Sequence, residues 1–219
     1  MRLHRARKQE KHGPQMFESA EIRKLIDAAP PTLKAMILLD ERRTRDSDLA
    51  NLPKSAIKGN WLLFPRVKTG IDRRIPLWPE TKLALKDAID QRPNAKDPAD
   101  AELCFITKYG HRWVRQGPSG TSNIDKIIDA FNKLLIDLEL KRDRLGFYAL
   151  RHTFETIAGG SGDQVSVDAI MGHVIDDMAS LYREKIDDAR PLITFAPGYF
   201  RFDDMDTAYR QGRKFLVDI

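Results

Sequence analysis

ALRHTF, at residues 149–154, is the stretch that decides how this 219-residue chain folds and functions, together with MGH at 171–173 and LY at 181–182. These segments place Arg151, His173 and Tyr182 in a fixed order. The histidine follows the arginine by 22 residues, and the tyrosine follows the histidine by nine. Taken singly, a late tyrosine is usually a packing residue and a Gly-His pair is usually a helix end, so the information lies in the ordered set.

The three side chains together suit chemistry at a phosphodiester. A tyrosine hydroxyl is a weak nucleophile at neutral pH, and it becomes useful where cations and hydrogen-bond donors already polarise its target. Attack on a phosphodiester builds negative charge on the non-bridging oxygens, and a planar guanidinium matches two such oxygens at once. Arg151 and His173 are groups of the right kind for this task.

These motifs resemble the catalytic core of the tyrosine recombinase (phage integrase) family, and the resemblance runs from about residue 17 to about residue 186. It implies a catalytic domain that cuts DNA by attack of Tyr182, which leaves a 3′-phosphotyrosyl link and a free 5′-hydroxyl. The covalent ester keeps the bond energy, so the resemblance implies no nucleotide, metal or other cofactor. It also implies double-stranded DNA as the partner, a homo-oligomer assembled on that DNA, and a phage or mobile element as the setting.

The same resemblance implies two catalytic residues upstream. Residues 68–77, KTGIDRRIPL, match the family's hairpin motif and make Lys68 the candidate donor of a proton to the leaving oxygen. RDSDL at 45–49 is similar to the family's first arginine motif, with aspartate in place of glutamate. The register favours Arg45, while Arg42 and Arg43 stay open as alternatives, as does a solvated charge cluster.

Tyr148 is a departure from the family pattern, because the first position of the family's His-x-x-Arg box carries a histidine or lysine. A phenol still donates a hydrogen bond to a phosphate oxygen, so Tyr148 is kept as a candidate catalytic residue. A tyrosine side chain ordinarily has a pKa of about 10, so a phenol is a poor proton acceptor at neutral pH. The departure therefore bears on the rate of the reaction rather than on its type.

The charge distribution favours an anionic partner. Lys and Arg number 37 against 32 Asp and Glu, a net charge of +5. Residues 1–13 hold five basic residues and one acidic residue, so most of the net charge lies in this arm. A second basic segment, residues 64–74, makes Arg66, Arg73 and Arg74 candidate DNA-binding residues; a solvated basic hairpin is the alternative.

Several classes of protein are disfavoured by the sequence. One cysteine, Cys104, excludes an intrachain disulfide framework, and its apolar neighbours predict a small core residue in a short buried strand at 102–106. No apolar run approaches a membrane span, and the charged start lacks the apolar block of a signal peptide, so we expect a cytoplasmic protein without membrane contact. Neither a metal-ligand spacing nor a phosphate-binding glycine loop is present.

The pattern predicts an α+β domain, mostly helical with a small three-stranded antiparallel sheet. We expect a basic arm or linker at 1–16, the catalytic domain at 17–190, and a C-terminal tail at 191–219. Ser19 is the predicted N-cap of a first helix that ends at Pro30, and a second helix starts near residue 32. Strands are predicted at 54–57, 61–64 and 73–77. Further helices are predicted at 79–91, at 123–139 with Asn123 as its cap, at 148–157 and at 165–171.

Two other functions stay open beside the recombinase. The first alternative is a DNA-binding relic of an integrase that has lost its catalytic activity. The second is an enzyme of the type IB topoisomerase kind, which shares the chemistry of tyrosine attack on a DNA phosphate. Only sixteen residues precede Phe17, so the helical clamp that the family places before its catalytic domain is expected to be missing. Tyr199 and Tyr209 lack the Gly-His spacing, so they are predicted to be packing residues rather than nucleophiles.

Overall fold

A computed structural model describes residues 16–40, 46–65, 70, 74–117, 123–160 and 162–171. These residues form seven α-helices: α1 (Ser19–Ala28), α2 (Pro31–Asp40), α3 (Asp46–Ala50), α4 (Pro79–Asp90), α5 (Lys126–Asp137), α6 (Phe147–Gly159) and α7 (Gln164–Met171). They also form five short strands: β1 (Ile57–Lys58), β2 (Trp61–Leu63), β3 (Arg74–Pro76), β4 (Val114–Gln116) and β5 (Asn123–Asp125). Two short 3-10 helices cover Lys54–Ala56 and Pro98–Asp100. The predicted α+β class is confirmed.

Helix α2 is the centre of the described core. Six of its ten residues are buried apolar side chains that point in several directions: Leu33, Ala35, Met36, Ile37, Leu38 and Leu39. A helix that is apolar nearly all round must be covered on several sides. Helices α1, α3, α4, α5 and α6 all contact it.

The N-cap of helix α1 lies one residue before the predicted cap. Glu18 is the N-cap, and it forms a reciprocal capping box with Glu21. The prediction of Ser19 as N-cap is therefore wrong: Ser19 is the first helical residue. A glutamate side chain three residues into the helix returns to the cap backbone, which satisfies an N–H group that the helix leaves without a partner.

The predicted three-stranded antiparallel sheet is present, with the order β1-β2-β3. Leu62 and Ile75 are paired across β2 and β3, and both face the core. Gly59, at φ +60°, supplies the left-handed residue that the tight β1–β2 turn requires. The first strand was predicted at 54–57, but Lys54–Ala56 is a 3-10 helix and only Ile57–Lys58 pairs with β2.

A second sheet was not predicted. Strands β4 and β5 pair with each other as an antiparallel hairpin, in which Arg115 lies opposite Ile124. The prediction that Asn123 caps the following helix is wrong, because Asn123 belongs to β5. Asp125 is the cap: its carboxylate accepts hydrogen bonds from the backbone N–H groups of Ile127 and Ile128, so α5 begins at Lys126.

The segment at 102–106 is only partly the strand that was predicted. It has one isolated bridge, between Leu103 and Pro53, and two flanking backbone hydrogen bonds, one of them from Cys104 N to the Leu52 carbonyl at 2.8 Å. Cys104 is fully buried, as predicted. Burial raises the pKa of its thiol to about 12, against smaller opposing effects of the Lys54 and Arg92 charges.

Two interactions fix the start of the domain to the helix that carries the decisive motif. Phe17, Phe131 and Phe147 stack edge to face, with ring centroids 6.0 and 5.1 Å apart. The backbone N–H of Phe17 donates to Thr153 Oγ1 at 2.9 Å, and that hydroxyl donates to the Ala149 carbonyl at 2.9 Å. No helix in the described ranges is long and apolar enough to cross a membrane.

Candidate active site

Helix α6 carries Arg151, the predicted catalytic residue that the structure describes most fully. The helix starts after Gly146, an extended N-cap, and buries Phe147, Leu150 and Phe154 against the core. Arg151 lies on the border of that buried face and is only 7% exposed. A guanidinium is almost always charged in proteins and is seldom buried without a role, so its position marks a candidate site.

Tyr148 lies one turn before Arg151 on the same helix, and it is 60% exposed. Its ring packs edge to face against His152, with centroids 4.9 Å apart and an interplanar angle of 85°. Positions 148, 151 and 152 fall on one face of an α-helix. The phenol is therefore open to solvent beside the buried arginine.

Helix α7 leads toward His173. It begins at a cap made by Asp163, whose carboxylate accepts hydrogen bonds from the backbone N–H of Ser166 at 3.1 Å and from its hydroxyl at 2.6 Å. The helix ends at Met171, two residues before His173. It contacts both α6 and β3, so the helix that leads to His173 lies beside Arg151's helix and beside the strand that follows the Lys68 hairpin.

Helix α3 starts at Asp46, directly after Arg45. Its residues Asp48, Leu49 and Ala50 are buried, and the helix contacts α2 and β4. Helix α2 in turn contacts α6. Four elements carry or flank predicted catalytic positions: α3, α6, α7 and β3. They are linked by contacts, because α2 joins α3 to α6 and α7 joins α6 to β3.

Arg74 is the one predicted DNA-binding residue within the described ranges. It is exposed on β3, and its guanidinium carbon lies 4.4 Å from the centroid of the Trp61 ring on β2. A cation over an indole face is attracted by the ring's negative face. This contact joins the two strands at the base of the hairpin.

The remaining predicted site residues lie outside the described residues. They are Arg45 with its alternatives Arg42 and Arg43, Lys68, His173, Tyr182, Arg66 and Arg73. Their convergence with Arg151 and Tyr148 on a single phosphate therefore stays a prediction. Within the described ranges, no group of three or more His, Cys, Asp or Glu side chains is arranged to hold a metal ion.

Three side chains to which the sequence pattern gave no role make long-range contacts: Trp61, Arg112 and Thr153. Trp61 holds Arg74, Thr153 fixes α6 to the start of the domain, and Arg112 bridges Asp100 and the end of α3. Their partners are between 12 and 136 positions away in the chain. Local sequence patterns carry no signal for such pairings.

Comparison with known proteins identifies the family. The model of the phage integrase family matches residues 15–188. This chain belongs to the phage integrase family. The match covers every predicted catalytic residue, and its limits lie within two residues of those that the motifs indicated. No relative is found among curated protein sequences.

Solved structures of integrase-family proteins share the fold. The structure of XerA recombinase has a TM-score of 0.59 and 22% identity, over 85% of this chain and 66% of that one. The structure of a lambda integrase (75–356) dimer bound to a COC' core site has a TM-score of 0.54 and 20% identity, over 79% of this chain and 62% of that one. The structure of the lambda integrase catalytic core has a TM-score of 0.54 and 19% identity, over 74% of this chain and 94% of that one. This chain thus spans about two thirds or less of the first two structures and nearly all of the catalytic core.

Proposed function

We propose that this chain is the catalytic domain of a site-specific DNA recombinase, which cleaves and rejoins double-stranded DNA through a 3′-phosphotyrosyl intermediate. The observation that carries the proposal is the buried Arg151 on α6, within an integrase-family match over residues 15–188. A guanidinium held largely out of water binds a phosphate more strongly than an exposed one, because the local dielectric is lower. The lambda integrase dimer described as bound to a core site supports DNA as the partner and a homo-oligomer as the working assembly.

The proposed reaction needs only this chain's side chains and DNA. The Tyr182 oxygen loses its proton to solvent and attacks the scissile phosphorus, and the bond from phosphorus to the 5′ oxygen breaks. Lys68 gives a proton to that departing oxygen and regains one from solvent. Arg45 and Arg151 neutralise the charge that develops on the non-bridging oxygens, and His173 donates a hydrogen bond to them. A second strand's 5′-hydroxyl then reverses the step.

The other predicted residues have supporting roles in this proposal. Tyr148 donates a hydrogen bond to a phosphate oxygen, which agrees with its exposed position beside Arg151. Arg66, Arg73 and Arg74 bind the DNA backbone through the hairpin, and the basic arm at 1–16 follows the same backbone further along. Residues 17–190 form the catalytic domain, and 191–219 are a tail beyond it. The single buried cysteine agrees with a cytoplasmic protein.

The test is a suicide DNA substrate that carries a nick close to the cleavage point. The short fragment diffuses away after cleavage, so the protein stays covalently bound and migrates as an adduct in a denaturing gel. We expect an adduct with the wild-type chain and none with Tyr182→Phe. Tyr199→Phe is the matched control, and it should form the adduct at the wild-type rate. No wild-type adduct, or an undiminished one with Tyr182→Phe, would refute the proposal.

A catalytically impaired DNA-binding relic is the second candidate, and the phenol at Tyr148 favours it because a tyrosine is a poor proton acceptor. Both candidates predict DNA binding that weakens as salt rises, so binding alone does not separate them. Salt-sensitive binding without an adduct would establish the relic. Relaxation of a supercoiled plasmid without recombined product would instead indicate activity of the topoisomerase kind.

A further inference from the structure

The end of α3 is fastened by a polar cluster made of Asn51, Asp100 and Arg112. Arg112 Nε donates to Asp100 Oδ1 in an ion pair, and Arg112 Nη1 donates to Asn51 Oδ1 at 2.9 Å. The side chain of Asp100 is 7% exposed, and that of Arg112 is 37% exposed. Removing the charged partner of a nearly buried carboxylate raises the free energy of the fold, because the carboxylate is then left unpaired. The three side chains of this cluster therefore hold a fixed geometry.

Asn51 is the residue that directly follows α3, and the chain beyond it is also fastened. Cys104 N donates to the Leu52 carbonyl at 2.8 Å, and Lys54 N donates to the Glu102 carbonyl at 2.8 Å. The carboxyl end of α3 is thus attached to the segment at 100–104 through both side chains and backbone. Arg112 is the side chain that reaches from the approach to β4 across to this attachment.

We propose that Arg112 is a positioning residue for the first catalytic arginine. That arginine, Arg45 in the favoured register, immediately precedes the opposite end of α3. A helix of five residues is about 7.5 Å long, so a tilt of about 10° at its fastened end moves the other end by roughly 1.3 Å. A displacement of about 1 Å at a catalytic group costs on the order of a hundredfold in rate. The inference rests on the proposed recombinase function.

The experiment measures single-turnover formation of the covalent adduct at saturating DNA, together with DNA affinity and thermal stability. Arg112→Gln is compared with Arg142→Gln. Arg142 forms an ion pair with Glu21, and it is 40% exposed where Arg112 is 37% exposed. The hydrogen bonds of Arg142 run to Glu21 and to the Met16 carbonyl rather than to α3, so its loss controls for the general effect of removing a half-exposed ion pair.

A second substrate separates positioning from destabilisation. In a methylphosphonate, a methyl group replaces one non-bridging oxygen of the scissile phosphate, so the linkage is neutral and demands less charge neutralisation by arginine. We expect Arg112→Gln to slow adduct formation on the phosphate by about tenfold or more, with DNA affinity within about twofold of wild type. On the methylphosphonate the same variant should lose less than about twofold relative to wild type. Arg142→Gln should lose less than about twofold on both substrates.

Asn51→Ala keeps the experiment decisive if Arg112→Gln fails to fold, because it removes the link to α3 and leaves the ion pair in place. Asn51→Ala should also slow adduct formation on the phosphate and not on the methylphosphonate, by a smaller factor than Arg112→Gln. Equal losses in Arg112→Gln and Arg142→Gln, or a loss that persists on the methylphosphonate, would overturn the positioning role while leaving the recombinase proposal intact. A wild-type chain that forms no adduct on the phosphate would overturn the proposed function and this inference with it.

Discussion

Replacing Thr153 with valine is expected to lower the free energy of unfolding by about 1–3 kcal/mol. Valine has nearly the same shape as threonine, so the substitution opens no cavity. It removes the acceptor of the Phe17 backbone N–H, which lies in a fully buried residue. A buried donor left without a partner loses the hydration it has in the unfolded chain and gains nothing in return.

The effect is measurable by thermal unfolding and by urea titration. A domain of this size loses about 2–4 °C in Tm per kcal/mol, so the melting temperature should fall by roughly 2–12 °C. Thr156→Val is the matched control. Thr156 lies on the same helix and also donates to a carbonyl four residues earlier, at 2.8 Å, but it is exposed and this hydrogen bond stays within its own helix.

The control should change the free energy of unfolding by less than about 0.5 kcal/mol, as exposed substitutions usually do. Thr153→Ser keeps the hydroxyl and loses one methyl group, so it should cost about 1 kcal/mol through packing alone and preserve the slow hydrogen exchange of the Phe17 amide. If Thr153→Val is as stable as Thr156→Val, the hydrogen bond to Phe17 does not hold the start of the domain on α6, and the reasoning fails.

Three further outcomes are expected. The pKa of Glu21 is lowered: burial raises it, but the hydrogen bonds from Arg142 and the Glu18 backbone, with the Arg142 and Lys24 charges, lower it by more. The ionised Glu21 side chain therefore stabilises the fold fully above the unfolded pKa near 4.5, and this stabilisation is lost as pH falls through the lower folded pKa. Glu21→Gln should cost about 1 kcal/mol at pH 7, and in urea titrations this cost should shrink as the pH is lowered below 4.5. Cys104, with its thiol pKa raised to about 12, should resist iodoacetamide at pH 8 in the native protein and react fully in urea, as mass spectrometry can check; rapid native labelling would contradict its burial. Tyr148→Phe should change stability by less than about 0.5 kcal/mol, since the side chain is 60% exposed, but slow adduct formation by about a hundredfold; an unchanged rate would remove the phenol from the site.

The helices could be predicted from sequence because apolar residues recur at helical spacing. Leu33, Met36 and Ile37 in α2, and Leu150 and Phe154 in α6, are buried as that spacing indicates. The ends were harder to predict, because two neighbouring polar residues often compete to cap one helix. The N-cap of α1 is Glu18 rather than Ser19, and the N-cap of α5 is Asp125 rather than Asn123. In each case the side chain of the N-cap residue accepts a hydrogen bond from the helix backbone.

The second hairpin was missed for a physical reason. Strand β4 has only three residues, and Arg115 and Gln116 are both exposed, so the strand lacks the alternation of apolar and polar residues that marks a half-buried strand. Its pairing with β5 comes from backbone hydrogen bonds, which every sequence can make. Short strands of this kind are specified by their tertiary neighbours rather than by their own side chains.

The candidate site also has a part that the sequence predicts and a part that it does not. The motif around Arg151 is contiguous in the chain, so a local sequence pattern is enough to single out its residues. The contact that holds its helix to the start of the domain joins Thr153 with Phe17, 136 positions apart, and the ion pair between Arg142, which precedes that helix, and Glu21 spans 121 positions. A single sequence records that these residues exist but not that they meet.

The positions of the predicted catalytic residues relative to the elements suggest how stability and activity separate in this domain. Arg151 lies inside α6, whereas Arg45 directly precedes α3, Lys68 falls between β2 and β3, and His173 follows α7 by two residues. A group inside a packed helix is fixed by that helix's core contacts, so changes in its packing alter the free energy of unfolding and the reaction rate together. A group just beyond the end of an element moves as the element tilts, and a tilt too small to affect stability still displaces it by an ångström. Variants that slow cleavage without lowering Tm should therefore cluster at the anchors of α3, β3 and α7, and variants that lower both should cluster on the buried face of α6.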